Sequence, residues 1–261
     1  MINQIKNNLA ILRQAKPVIL CITNYVTMDF IANSLLSLGA SPIISTSVDE
    51  IEELMRISQA VYINIGTLNQ KFIELVKFTC IVAKKYKKAI ILDPVGVGAS
   101  IIRTETVRDI LPFIDIIRGN ASEIIAIGSQ SYKTLGVDSN DKVVDALQTA
   151  KAIAGHHNIT VMVSGADDFI TDVTHQQILS FGSDLMPFVT GMGCSLVAVI
   201  SAFRAINPIS YEATLYAACY FSLVGQLTAI STKAPGSFKT LFIDNLYQPD
   251  WCQMRKLYER R

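Results

Sequence analysis

Apolar runs of strand length alternate with stretches of helical periodicity along nearly the whole chain, and this alternation limits the folds open to it. Strands are predicted at 17–22, 42–45, 60–65, 89–92, 114–117, 159–163, 169–171 and 177–181. Helices are predicted at 28–38, 49–56, 70–86, 104–111, 121–127, 141–154, 193–205, 211–232 and 237–246. Such a rhythm builds an α/β fold with a mostly parallel sheet covered on both faces, because each crossover helix must bury its apolar stripe. The last two strand runs flank Thr174 and read as an antiparallel addition at the sheet edge. No repeat, linker or low-complexity stretch interrupts the 261 residues, so one domain over 1–261 is expected. Ligands of open α/β sheets bind outside the carboxyl ends of the strands. The residues just after each strand are therefore the ones to read for chemistry.

Composition narrows the partners. With 23 basic and 22 acidic residues, the chain has no net field to attract nucleic acid or an anionic membrane. Half the residues are hydrophobic, which suits a large core. The apolar stretch 194–203 is too short to span a bilayer, and 215–230 is interrupted by Ser222, Gly225, Gln226 and Thr228, so both are expected to be buried helices. Five cysteines, widely spaced and without C-x-x-C, argue for a reducing compartment with neither disulfides nor a zinc site. His156, His157 and His175 show no ligand spacing. Residues 1–14 lack an apolar signal-peptide core, so a cytoplasmic location is expected.

Three segments could carry chemistry. The first is Val189-Thr190-Gly191-Met192-Gly193-Cys194-Ser195 ahead of an apolar helix. Two glycines allow close backbone approach, and the helix start offers free N–H groups and a positive dipole end to an anion. Cys194 sits at that end, where a thiol pKa tends to fall. The alternative is a glycine turn with Cys194 as a small buried hydrophobe. The second is Ile91-Leu92-Asp93-Pro94-Val95-Gly96-Val97-Gly98, in which Asp93 either meets a metal-bound or phosphate-bearing ligand or caps a tight turn. The third is Arg118-Gly119-Asn120-Ala121-Ser122-Glu123, where Asn120 and Glu123 have capping-box spacing and Glu123 could also approach Mg²⁺ through water. Asn64-Ile65-Gly66-Thr67 and Ser164-Gly165 alone read as ordinary turns. There is no G-x-x-x-x-G-K-[ST], so a P-loop kinase is not supported, and no G-x-G-x-x-G after the first strand, which speaks against a dinucleotide oxidoreductase.

The order of these segments says more than any one of them. Asn24-x-Val26, Gly39-Ala40-Ser41-Pro42, Asn64-Ile65-Gly66-Thr67, Asp93-Pro94-Val95-Gly96-x-Gly98-Ala99, Arg118-Gly119-Asn120-Ala121-Ser122-Glu123, Ser164-Gly165 and Val189-Thr190-Gly191-x-Gly193-Cys194 together resemble the hydroxyethylthiazole kinase family, from Ile22 through Phe203, with Gly236-Ser237-Phe238 extending the likeness. The resemblance implies a ribokinase-like three-layer α/β/α sandwich that phosphorylates the hydroxyl of 4-methyl-5-(2-hydroxyethyl)thiazole with ATP and Mg²⁺, salvaging the thiazole half of thiamine. It also implies a homotrimer with active sites at subunit interfaces.

Carried over by position, Arg118 and Ser164 contact ATP, and Asp93 and Glu123 hold the metal mainly through water. Gly191 lies against the substrate and Gly193 helps form the anion hole. Cys194 stands where related sugar and vitamin kinases place a catalytic Asp, and either orients the substrate hydroxyl or accepts its proton. Asn24 and Ile44 border the thiazole, with Gly66 and Thr67 near the interface. Two positions depart from the family pattern: Ile44 stands where Met is usual, a stiffer branched chain for a flexible thioether, and Ser164 stands where Thr is frequent, keeping the hydroxyl. The rival readings are another kinase of this fold, acting on hydroxymethylpyrimidine or pyridoxal, and a non-catalytic ligand-binding homologue.

Overall fold

Successive side chains of a strand point to opposite faces, and here both faces are apolar. Ile19 and Cys21 join one buried cluster while Leu20 and Ile22 join another. A sheet of this kind needs cover on both sides, and it has it. The computed structural model describes residues 1–129 and 139–260. Its strands are β1 (Val18–Ile22), β2 (Ser41–Ile44), β3 (Ala60–Asn64), β4 (Ala89–Asp93), β5 (Ile116–Asn120), β6 (Thr160–Ser164), β7 (Asp168–Thr171) and β8 (Gln176–Leu179). They form one sheet in the order β2-β1-β3-β4-β5-β6-β7-β8. Pairing is parallel from β2 to β6, and β7 and β8 add on antiparallel.

The helices are α1 (Ile2–Ala15), α2 (Met28–Leu38), α3 (Ile51–Ile57), α4 (Gln70–Lys85), α5 (Ile101–Ile110), α6 (Ala121–Gly128), α7 (Ser139–His157), α8 (Met192–Ile206), α9 (Ser210–Ser231), α10 (Pro235–Tyr247) and α11 (Trp251–Glu259). One core is formed between the sheet and side chains of α1, α2, α8, α9, α10 and α11, the other between the sheet and side chains of α3 to α7. The architecture is the expected three-layer α/β/α sandwich. Helix α9 is long and apolar enough to cross a membrane, yet it is mostly buried here, packed against α8, α10 and α11.

The structure departs from the sequence reading at several points. Residues Ile2–Ala15 are a helix whose Ile2, Ile5, Leu9 and Leu12 are buried at helical spacing, and Trp251–Glu259 is another, burying Met254 and Leu257. The helix predicted at 49–56 begins as a 3-10 turn, Val48–Glu50, capped by Ser47. Strand β5 starts later than 114 and continues through Gly119 and Asn120, which pair with Val163 and Ser164 of β6. Arg118 therefore projects from a strand and not from a loop.

Strand order reverses between β1 and β3: the chain leaves β1 for β2 on one side and returns to β3 on the other. A crevice opens at the carboxyl ends of strands flanking such a reversal. Asn24 follows β1, Asn64 ends β3, and Asp93 ends β4 beside it, in register.

Candidate active site

Helix α8 is preceded by its N-cap Gly191, whose φ of +93° belongs to glycine and whose Cα lies so close to the start of α2 that a Cβ would meet Thr27 at 3.0 Å and Phe30 at 3.2 Å. The backbone N–H groups of Gly193 and Cys194 find no hydrogen-bond acceptor among the described residues, as the first amides of a helix do when no side chain caps them. A cavity of about 610 Å³ opens there, walled by Arg118, Asn120, Ser164, Asp168 and Gly193. Arg118 reaches across the helix start, and its guanidinium lies where any Cβ on residue 193 would have to be, 2.6 Å from Nη1. Its Nε is buried with no hydrogen-bond partner among the described residues. Asp168, buried in the cavity wall, accepts from the Ser222 hydroxyl at 3.2 Å, and burial pushes its carboxyl up to about 6 against the pull of Arg118.

Beside this cavity lies a buried polar cluster. Asp93 is fully buried. Its Oδ2 accepts from Asn64 Nδ2 at 2.6 Å, while its Oδ1 has no hydrogen-bond partner among the described residues. Burial raises its carboxyl to about 6; the Arg118 charge pulls it down and the nearby Glu123 pushes it up. Cys194 Sγ is 3.2 Å from Asn64 Nδ2 and 3.8 Å from Asn24 Nδ2. The thiol does not have the lowered pKa expected at a helix start. Burial, and then the Asp93 charge, push it up to about 12. Desolvation and the neighbouring carboxylate both favour the neutral thiol.

Glu123 completes the capping box: its Oε2 accepts from the Asn120 N–H and the Asn120 side chain accepts from the Glu123 N–H, each at 2.9 Å. Its Oε1 accepts from the Gly96 N–H at 2.9 Å, tying α6 to the turn after β4. The capping role and a place near a cation are compatible, since each oxygen keeps a second lone pair.

On the far side of Cys194 stand Asn24, Gly66 and Thr67. Asn24 Nδ2 donates to Asn64 Oδ1 at 2.8 Å, the Gly66 N–H donates to the same oxygen at 2.9 Å, and Thr67 Oγ1 accepts from the Tyr25 N–H at 3.3 Å. Gly66 has no room for a side chain: a Cβ would lie 3.0 Å from Asn24 Cβ and from Asn64 Oδ1.

The structure thus gathers the sequence-predicted residues into two adjoining groups. Arg118, Ser164 and Gly193 share the cavity wall, with Glu123 close by, and Asp93, Cys194, Asn24, Gly66 and Thr67 share the buried cluster. Ile44 and Gly191 are placed by other contacts. Ile44, at the end of edge strand β2, is half-buried against the apolar core, and Gly191 packs on Thr27 and Phe30. Three residues escaped the sequence reading. Tyr62 and Asn64 lie two apart on β3 and so face the same side, and Arg103 of α5 donates to the carbonyls of Ile65 (2.7 Å), Val95 (2.6 Å) and Gly66 (2.9 Å), clamping the turns after β3 and β4 together. The N-I-G-T segment was the one available signal for Asn64.

The arrangement has structural kin. The chain overlays an ADP complex of Bacillus subtilis pyridoxal kinase with a TM-score of 0.64 at 14% identity, covering 81% of this chain and 92% of that one. A hydroxyethylthiazole kinase structure from Pyrococcus horikoshii overlays with a TM-score of 0.87 at 34% identity, over 94% and 93%. Fold and site together define a ribokinase-like α/β protein of the small-molecule kinase class. A model of the hydroxyethylthiazole kinase family matches residues 9–250. Hydroxyethylthiazole kinases of Chlamydia caviae (47% identical, all of both chains) and Vibrio atlanticus (42%, 95% and 94%) are similar throughout. The chain belongs to the hydroxyethylthiazole kinase family.

Proposed function

We propose that the protein transfers the γ-phosphoryl group of ATP to the hydroxyl of 4-methyl-5-(2-hydroxyethyl)thiazole, as a salvage step toward thiamine. The observation that carries this reading is the continuity of the site: free α8 amides and Arg118 on one side of Cys194, Asn24 and Gly66 on the other. Phosphoryl transfer asks the protein mainly to hold two substrates in line and to stabilise spreading negative charge. The Gly193 and Cys194 amides and the Arg118 guanidinium suit the transferring phosphoryl group, and Ser164 and the cavity suit the rest of the nucleotide. Cys194, neutral, orients the substrate hydroxyl and is not its base. Asp93, with an unpartnered buried oxygen, and nearby Glu123 fit a cation that keeps most of its waters, as Mg²⁺ does. When bound with ATP, Mg²⁺ supplies charge neutralisation on the phosphates.

A coupled ADP-release assay tests the reading on a panel of alcohols. Turnover is expected with the thiazole alcohol, and only with Mg²⁺ present. ADP release indifferent to the thiazole but raised by hydroxymethylpyrimidine or pyridoxal would assign the protein to a sister activity. ATP and alcohol binding without turnover would make it a ligand-binding homologue.

A cytoplasmic homotrimer belongs to the same reading. Tyr25, Val26, Ile101 and Ile102 are exposed apolar side chains, the first two next to Asn24 and the last two next to Arg103, where a neighbouring subunit would cover them and close the alcohol side of the site. Light scattering is expected to give three times the 28.7 kDa chain mass at all working concentrations; a constant monomer mass would overturn the trimer.

A further inference from the structure

We propose that Asn64 is a positioning residue of this site, a group that joins Asp93 and Cys194 on the phosphoryl side to Asn24 and Gly66 on the alcohol side. The proposal rests on the functional reading above and adds a role to a residue outside the nucleotide cavity. Asn64 is completely buried at the end of β3. Its Nδ2 faces Asp93 Oδ2 at 2.6 Å, the Tyr62 hydroxyl at 2.9 Å and Cys194 Sγ at 3.2 Å. Its Oδ1 accepts from Asn24 Nδ2 at 2.8 Å and from the Gly66 N–H at 2.9 Å.

The orientation of the amide is determined. Turned over, it would aim a carbonyl oxygen at a carboxylate and an NH₂ at two other donors. Its two N–H hydrogens are spread over three acceptors, and the sulfur, the weakest of them, is the most distant. Placement follows from register: Asn64 pairs with Asp93 across adjacent parallel strands, so the two side chains stand together on one face, and Tyr62 shares that face two residues earlier. A buried polar network of this sort gives little stability over a well-packed apolar side chain of the same volume. What it gives is one fixed geometry for Asp93, Cys194, Asn24 and Gly66 relative to one another, and reactions of this class lose about 10²-fold when groups are misplaced by about 1 Å.

The test divides the amide into halves. Asn64→Asp keeps the acceptor oxygen and loses the donor, and is expected to lower kcat by about 10²-fold while KM for the alcohol and for ATP stays within about threefold. Asn64→Leu loses both halves and is expected to lower kcat similarly and to raise KM for the alcohol about tenfold, again with KM for ATP unchanged. Calorimetric binding of the alcohol to the free protein is expected to weaken for Asn64→Leu only. A double-mutant cycle adds Asp93→Asn. If Asn64 acts through Asp93, Asn64→Asp costs less than about threefold in that background. The double variant keeps the Asn64–Asp93 contact with donor and acceptor exchanged, so it reports even if Asn64→Asp alone does not fold. A folded Asn64→Asp protein with wild-type kcat overturns the proposal. So does an equal loss in both backgrounds, or an equal rise in both KM values. A wild-type protein that turns over no alcohol sinks the functional reading instead.

Discussion

Gly193→Ala is expected to lower kcat/KM for ATP by about 10²-fold and to leave the melting temperature unchanged or slightly raised. A Cβ at residue 193 would lie 2.6 Å from Arg118 Nη1 and 3.2 Å from Cζ and Nη2. Something must move, and the movable part is the guanidinium, the far end of a flexible chain. The fold therefore survives. Alanine is also the better helix former by about 1 kcal/mol in a helix interior. The loss falls on the site, because Arg118 is displaced from the start of α8 and its charge no longer faces the cavity wall it shares with Ser164. Kinetics on the single and double variants check this: in an Arg118→Ala background, where the guanidinium is gone, adding Gly193→Ala should cost less than about threefold. A tenfold further loss there, or a full-activity Gly193→Ala enzyme, would show that Arg118 does not need that space.

Asp93→Asn is expected to trade activity for stability. Its kcat should fall by about 10²- to 10³-fold, the scale for removing one charged or dipolar group that stabilises a transition state. Its stability should rise above pH 6. The folded protein holds the Asp93 proton more tightly than the unfolded chain, with the carboxyl raised from 3.8 to about 6 by burial. Between those values the folded state binds more protons, so stability falls as pH rises through the window and stays lower above it. The full gap corresponds to about 3 kcal/mol, which the neutral amide recovers. Melts in metal-free buffer should show almost no difference between variant and parent at pH 3 and several degrees at pH 8. Asp168 titrates in the same window in both proteins and cancels. A difference independent of pH would refute the assignment of the raised carboxyl to Asp93.

The sheet was legible because its strands are continuous apolar runs, and the residues that follow them were legible because strand ends point to one side of such a fold. Helix α1 was not: Asn3, Gln4, Lys6, Asn7 and Asn8 mask the spacing of Ile2, Ile5, Leu9 and Leu12, and the segment attracted attention only as a possible leader. The extension of β5 through Gly119 and Asn120 was hidden because neither residue favours a strand; pairing with β6 overrides that preference. The surroundings of the Cys194 thiol, for which a lowered pKa and a small buried hydrophobe both stayed open, were hidden for a similar reason. Helix position is local and visible in sequence, whereas burial beside Asp93 depends on packing between α8 and the ends of β3 and β4. Asn64 is the same case in sharper form, since its partners come from positions 24, 62, 66, 93 and 194.

Helix α8 opens the site with its first turn and is then buried without interruption from Ser195 to Phe203, against α1, α2, α9 and the central strands. Segments that open easily in solution are those with few buried contacts, and this one has no such stretch beyond its first turn. The Gly193 and Cys194 amides are thus carried on a helix whose next nine residues are all buried. If these amides take the phosphate as proposed, the burial of α8 sets their order during folding, and the ligand has little conformational entropy to remove at this helix start.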